Sequence, residues 1–159
     1  MKVRNVMKKD VKFCPPEATV AEVAKVMAIN DCGVVPIVDA QNRVVGMITD
    51  RDICLEIATK DRLPSRVPVR EIMKRKVFGC GPDEDIHDAL TRMQNRRVRR
   101  LPVLDEKGKL CGILSLDDVV LRAEKLSGLE VPELSETETV ETLKAITRKS
   151  ASPRPIVQA

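Results

Sequence analysis

One seven-residue pattern of the sequence brings together groups that can bind a polar ligand. It consists of a glycine, two apolar residues, a hydroxyl residue, two variable residues and an aspartate, and it occurs at residues 46–52 and 112–118. The apolar part predicts the end of a buried strand, and the charged part predicts the start of a helix. Gly46 and Gly112 lack side chains and therefore allow the close approach of a backbone or a ligand.

The hydroxyl group and the carboxylate of this pattern have two interpretations. Thr49 at a helix N-cap with Asp52 three residues later forms a capping box, which needs no ligand. Ser115 and Asp118 repeat this arrangement. In the second interpretation, the free N–H groups of the helix N-terminus and the hydroxyl group bind a phosphate, while the carboxylate accepts hydrogen bonds from a ribose. The recurrence of the pattern after the same predicted strand favours the ligand interpretation.

Residues for other chemistry are scarce in this chain. The five cysteines are an odd number without CxxC spacing, which argues against a disulfide framework and a zinc site. We expect them to behave as small apolar residues. His87 is the single histidine, and it falls on a predicted helix surface without an evident nucleophile beside it. We therefore expect no metal site and no enzyme activity.

The composition is typical of one ordinary domain or two small ones. The chain has 159 residues, is 43% apolar and carries a net charge of +4. Its two aromatic residues, Phe13 and Phe78, cannot provide the stacking platform of single-strand binders. The apolar runs are shorter than the roughly 20 residues that cross a bilayer, and the N-terminus lacks the apolar segment of a signal peptide. We expect a cytoplasmic protein that does not bind membranes.

The sequence contains the same unit twice. A shift of 66 residues aligns residues 3–54 with residues 69–120 without a gap, and twelve of the 52 aligned pairs are identical. A match of this length indicates a duplicated structural unit. The identical pairs are Val3/Val69, Arg4/Arg70, Met7/Met73, Lys8/Lys74, Val11/Val77, Cys14/Cys80, Pro16/Pro82, Met27/Met93, Pro36/Pro102, Asp39/Asp105, Gly46/Gly112 and Asp52/Asp118.

Each unit is predicted to contain a strand, a helix, two strands and a second helix. In the first unit, strands are expected near residues 11–13, 33–39 and 44–48. Thr19 is expected to cap the first helix, and the second helix is expected at about residues 50–58. The second unit follows in step. This order predicts an α+β fold with α/β-type packing of two β-α-β-β-α repeats.

The two units are expected to pack against each other about a pseudo-twofold axis. A unit of about 55 residues buries too little surface to be stable alone. We place the first unit in residues 1–60, a linker in residues 61–68 and the second unit in residues 69–126. Residues 127–159 are expected to form a flexible C-terminal tail with a short helix at residues 139–149.

These repeats resemble the cystathionine β-synthase (CBS) domain family. The resemblance is carried by the element order, the strands VVPIVD and RLPVLD, and the repeated pattern from glycine to aspartate, and it covers about residues 3–125. Two tandem copies resemble the CBS pair, or Bateman module. The resemblance implies clefts that bind AMP, ADP, ATP, S-adenosylmethionine or NAD, with no catalytic cofactor. It also implies a homodimer that regulates an enzyme, channel or transporter.

The resemblance implies a role for each member of the repeated pattern. The two aspartates would bind the ribose, and Thr49 and Ser115 would contact phosphate. Arg51 is a candidate cation for the phosphate, whereas its counterpart Asp117 cannot serve. Adenine is expected in an apolar slot near the first strand and the proline-containing strand. The candidates for this slot are Val11, Phe13, Val34, Val35, Pro36, Val77, Phe78, Leu101 and Pro102.

An arginine cluster distinguishes the second unit from the first. Its members align with positions that carry no positive charge in the first unit, and they are Arg92, Arg96, Arg97, Arg99 and Arg100. A charge run of this kind is typical of a solvated surface. Alternatively, Arg99 and Arg100 project toward the cleft and bind a polyphosphate, because the guanidinium group suits phosphate. In that case the second unit dominates the binding of highly charged nucleotides.

Three hypotheses for the function follow. The first is a stand-alone regulatory protein that senses adenine nucleotides. The second is an assembly module whose clefts stay empty, and a binding measurement separates it from the first. The third is nucleic-acid binding through the arginine cluster, which predicts steep salt dependence and insensitivity to the two aspartates.

Overall fold

The computed structural model of the protein describes residues 1–123 and 133–148. It contains two similar halves, each with a two-stranded antiparallel sheet and flanking helices, which confirms the predicted α+β class. The first half contains α1 (Val20–Ile29), β1 (Val34–Val38), β2 (Val44–Thr49) and α2 (Asp50–Lys60). The second contains α3 (Ile86–Arg96), β3 (Arg100–Leu104), β4 (Leu110–Ser115), α4 (Leu116–Val120) and α5 (Glu136–Thr147). Short 3-10 helices occupy Val3–Asn5, Pro64–Arg66 and Val69–Glu71.

The strand predicted at residues 11–13 is reduced to a single bridge. Cys14 pairs in parallel with Ile37, and the equivalent bridge recurs in the second half. Pro15 and Pro16 follow Cys14, and Gly81 and Pro82 follow Cys80, so a residue without an N–H group lies within two positions of each bridge.

The N-terminal segment of each sequence repeat packs into the core of the opposite half. Val3 and Val6 belong to the apolar core built around α3, β3 and β4. Val69 and Met73 belong to the core built around α1, β1 and β2. The sequence repeat and the packed half are therefore different sets of residues. We call residues 1–8 and 67–74 the exchanged segments.

Backbone pairing holds the exchanged segments in place. Lys8 and Ile113 donate to each other's carbonyl groups at 2.9 Å. Lys74 and Met47 do the same at 2.9 and 3.0 Å. Both contacts are antiparallel bridges. Each exchanged segment thus extends the sheet of the half that it joins.

The two glycines of the repeated pattern lie under the exchanged segments. A Cβ atom on Gly112 would lie 2.7 Å from the carbonyl oxygen of Lys8 and 2.9 Å from Met7 Sδ. A Cβ atom on Gly46 would lie 2.5 Å from Met73 Sδ. The close approach at both positions is therefore made by the opposite repeat.

The C-terminal helix α5 packs on the second half. It contacts α3 and α4, and Leu134, which precedes it, is 1% exposed in the core of that half. Gln94 Nε2 donates to Thr142 Oγ1 at 2.8 Å, and His87 Nδ1 lies 2.6 Å from Glu138 Oε1. This part of the predicted tail is thus a structural element of the second half.

The bounds of α5 differ from the helix predicted at residues 139–149. It begins at Glu136 because Ser135 caps it and accepts a hydrogen bond from the Glu138 N–H group. The remainder of the predicted tail, residues 127–132 and 149–159, lies outside the described residues. Within the described part of the chain, no helix combines the length and the apolar character needed to cross a membrane.

Candidate ligand site between the repeats

Both copies of the repeated pattern stand where a strand meets a helix. Thr49 ends β2 and caps α2, and its hydroxyl group accepts from the Asp52 N–H group at 3.1 Å. Ser115 ends β4 and caps α4 in the same way, with Asp118 at 3.1 Å. Oδ2 of each aspartate accepts from the hydroxyl and the N–H group of its cap. The capping box is therefore present in both copies, and it engages one carboxylate oxygen.

The other oxygen of each aspartate faces a lysine from the opposite repeat. Lys74 Nζ lies 2.7 Å from Asp52 Oδ1, and Lys8 Nζ lies 3.2 Å from Asp118 Oδ1. Asp118 is only 6% exposed, and a carboxylate at this depth requires a charged or hydrogen-bonded partner. Burial raises the pKa of Asp52, but hydrogen bonds from Lys74 and Thr49 lower it by more, so the pKa lies below its ordinary value.

Sequence reasoning did not identify these lysines as part of the site. The signal was present, because Lys8/Lys74 and Asp52/Asp118 are both identical pairs of the duplication. Only the exchange of the N-terminal segments brings each lysine to the aspartate of the other repeat.

A cavity of about 310 Å³ lies between the two repeats beside Ser115. Val11 and Val34 of the first repeat line it, together with Arg100 of the second repeat and Lys8. Its volume lies at the lower end of the range of small-molecule sites, about 300–1,000 Å³. The structure thus brings candidates for the apolar slot in one repeat next to candidates for phosphate binding in the other.

Other residues predicted for the apolar slot do not line this cavity. Val35, Pro36, Leu101 and Pro102 are buried inside strands β1 and β3. Phe13 is 52% exposed, and Val77 is half-buried. The Phe78 ring contacts the Arg96 guanidinium group instead, with 4.8 Å between the ring centroid and the guanidinium carbon. Arg51 is exposed on the first turn of α2.

The arginine cluster is divided among different surroundings. Arg100 Nη2 lies 3.6 Å from Asp117 Oδ2 beside the cavity, whereas Arg99 is exposed. Arg92 Nη1 donates to the carbonyl group of Gly79 at 2.8 Å and lies 2.8 Å from Glu84 Oε1. Arg92 therefore has a structural role in the second half.

The described residues contain no group of three or more His, Cys, Asp or Glu side chains arranged to hold a metal ion. The cavity wall combines apolar side chains, a helix cap and charged side chains.

The sequence matches a known family over most of its length. The family model of the CBS domain matches residues 3–59 and residues 69–125. The chain therefore belongs to the CBS domain family and contains two CBS domains in tandem.

Similar proteins support this assignment. The uncharacterized protein MK0525 of Methanopyrus kandleri is 32% identical over 118 residues, which are 74% of this chain and 60% of that protein. An uncharacterized 17.7 kDa protein of Acidianus ambivalens is 39% identical over 118 residues, 74% of this chain and 70% of that protein. A similar solved structure is the CBS domain pair of protein MJ0100 in complex with 5′-methylthioadenosine and S-adenosyl-L-methionine. The two structures superpose with a TM-score of 0.70 at 25% sequence identity, and the alignment covers 76% of this chain and 94% of that chain.

Proposed function

We propose that this protein is a regulatory CBS pair that binds an adenosine-containing ligand in the cavity between its repeats. The observation that carries the proposal is the composition of the cavity wall. Val11 and Val34 offer apolar surface for a purine, while the side chains of Lys8 and Arg100 offer cations for a phosphate. The two adenosyl compounds bound to the CBS pair of MJ0100 support the same class of ligand.

The carboxylate of Asp118 is the candidate ribose ligand; it is 6% exposed and lies behind the cavity wall, next to the lining residues Lys8 and Ser115. Its Oδ1 atom is the oxygen that the helix cap leaves free for a partner outside α4. AMP, ADP and ATP carry the ribose and phosphate that the wall can bind, and NAD and S-adenosylmethionine share the adenosine part. Asp52 is the equivalent candidate in the other repeat, with Thr49 and Arg51 beside it.

Binding in this cavity would transmit a signal without chemistry. Because both repeats form the wall, a ligand contacts both and favours the arrangement that binds it better. The proposed output is a homodimer whose shape a regulated enzyme or transporter recognises. Exposed apolar side chains such as Ile29, 82% exposed, and Leu55, 47% exposed, provide surface for such contacts.

Calorimetry with AMP, ADP, ATP, NAD and S-adenosylmethionine tests the proposal. Val11→Glu places a carboxylate in the apolar slot and should weaken binding by at least about tenfold. Leu63→Glu is the control, because Leu63 is an apolar residue that is 60% exposed in the linker and does not line this cavity. Leu63→Glu should leave the affinity of this cavity unchanged.

Two results would reject the proposal. Absence of binding by every adenosine compound at millimolar concentration would favour the assembly module. Binding that Val11→Glu and Leu63→Glu change equally would place the ligand elsewhere. Thermal unfolding of both variants checks that they remain folded.

A further inference from the structure

We infer that Lys8 makes this cavity selective for nucleosides that carry an anionic group. Lys8 contacts the oxygen of Asp118 that is the candidate ribose ligand, and an anion on the ligand would provide Lys8 with a second partner. The inference rests on the proposed function and concerns the selectivity of the same site. It assigns to Lys8 a role that the repeated pattern does not contain.

The geometry places Lys8 between a ligand and Asp118. Oδ2 of Asp118 is held by Ser115, so Oδ1 is the oxygen available to a ribose. Lys8 Nζ lies 3.2 Å from this atom, and the Lys8 side chain is 68% exposed while that of Asp118 is 7% exposed. Lys8 also lines the cavity. A ribose hydroxyl that reaches Oδ1 therefore competes with the ammonium group for this buried oxygen.

The cost of this displacement depends on the ligand. A neutral nucleoside supplies hydrogen bonds to Asp118 but separates the carboxylate from its cation. A ligand that also carries a phosphate offers the displaced ammonium group a new anion within the same cavity. The hydrogen bond from the ammonium group to a phosphate is charge-assisted, like the contact with Asp118 that it would replace. The exchange therefore favours ligands in which the ribose and the anion belong to one molecule.

The charges of the cavity wall make Lys8 necessary for an anion. Three cations, Lys8, Lys12 and Arg100, line the cavity together with three aspartates, Asp10, Asp31 and Asp117. Arg100 lies 3.6 Å from Asp117. Without Lys8 the wall would be negative on balance, and the buried carboxylate of Asp118 would add to the repulsion of a phosphate.

The position of the lysine allows a charge-matched experiment. Lys9 is adjacent in sequence and exposed, and it is not among the residues that line the cavity. Lys8→Met and Lys9→Met therefore remove the same charge from neighbouring positions. Lys8→Arg keeps a cation that can bind both Asp118 and a phosphate.

Calorimetric titration with AMP and with adenosine measures the selectivity. Lys8→Met should weaken AMP binding by about tenfold, the size of one charge-assisted hydrogen bond, and should strengthen adenosine binding because no ion pair must be broken. The ratio of the two affinities should therefore fall by at least about tenfold. Lys9→Met and Lys8→Arg should keep the ratio of the wild-type protein.

The outcomes separate this inference from the proposed function. If the wild-type protein binds AMP and Lys8→Met leaves the affinity ratio unchanged, the inference is wrong and the proposed function stands. An equal loss of both ligands in Lys8→Met would show a purely structural role and would also reject it. If the wild-type protein binds neither compound nor any other adenosine compound, both proposals are wrong.

Discussion

Lys74 Nζ lies 2.7 Å from Asp52 Oδ1, although the two residues belong to different repeats of the duplicated sequence. Lys8 and Asp118 form the second copy of this contact, at 3.2 Å. One oxygen of each aspartate therefore binds the cap of its own helix, and the other contacts the exchanged segment of the other repeat. The contact links helix capping to the packing of the two halves.

Asp52→Asn is expected to lower the free energy of unfolding at neutral pH by about 1–2 kcal/mol. The loss is expected to be smaller at acidic pH. Burial raises the pKa of Asp52, but hydrogen bonds from Lys74 and Thr49 lower it below its ordinary value of 3.8. The stabilisation is thus fully present above the pKa of the unfolded chain and is lost as the pH falls through the lower pKa of the folded protein.

Urea unfolding of the wild-type protein and Asp52→Asn at pH 7 and at about pH 3 measures this effect. The difference in the free energy of unfolding should shrink at the lower pH. Asp50→Asn serves as a control in the same first turn of α2, because Asp50 is exposed. A difference for Asp52→Asn that is constant across this pH range would contradict the prediction.

Gly112→Ala is expected to lower the free energy of unfolding by about 1–3 kcal/mol. The added Cβ atom would lie 2.7 Å from the backbone oxygen of Lys8, so the exchanged segment would have to move. Gly81→Ala is the matched control, because no heavy atom among the described residues lies within 4 Å of its added Cβ atom. Thermal and urea unfolding compare the two variants, and equal effects would argue against tight packing of the exchanged segment.

Leu134→Ala is expected to destabilise the protein by about 2–4 kcal/mol, the usual cost of a cavity in a core. Leu134 is 1% exposed and belongs to the core of the second half. Leu143 lies in α5 and is 40% exposed, so Leu143→Ala should lower the free energy of unfolding by less than about 1 kcal/mol. Urea unfolding measures both changes. If Leu134→Ala does not destabilise the protein, the packing of Leu134 does not contribute to the stability of the second half.

Cys54 is expected to be alkylated before Cys80 in the folded protein. Burial, with a further contribution from Glu84, raises the pKa of Cys80 to about 12, and the thiolate is the reactive form. Cys54 is exposed. Mass spectrometry of peptides after brief treatment with iodoacetamide at about pH 8 should find Cys54 modified and Cys80 protected. In urea, both should react, and equal rates in the folded protein would contradict the burial of Cys80.

Local patterns predicted the elements of this fold but not the partners of each segment. The capping boxes at Thr49 and Ser115 involve residues three apart, so spacing alone identifies them. The exchange of the N-terminal segments is different, because Val3 and Val69 are identical and fit the core of either half. Only the three-dimensional arrangement distinguishes a segment that folds back on its own repeat from one that crosses to the other.

For the candidate site too, local patterns predicted single residues but not their neighbours from the other repeat. Spacing identified Ser115 and Asp118, but it did not show that the apolar residues beside them come from the other repeat, as Val11 does. The start of α5 was missed for a local reason. Apolar periodicity placed the helix at residue 139, whereas Ser135 with Glu138 three residues later is the capping signature that sets its beginning.

The exchanged segments also determine the order in which the protein can be completed during synthesis. Because Val69 and Met73 are part of the first core, a nascent chain that has only passed residue 60 lacks two of the side chains that close that core. The first half is finished only once the opening of the second repeat has left the ribosome. For the same reason, after cleavage within residues 61–66 each fragment keeps the exchanged segment that packs on the other fragment.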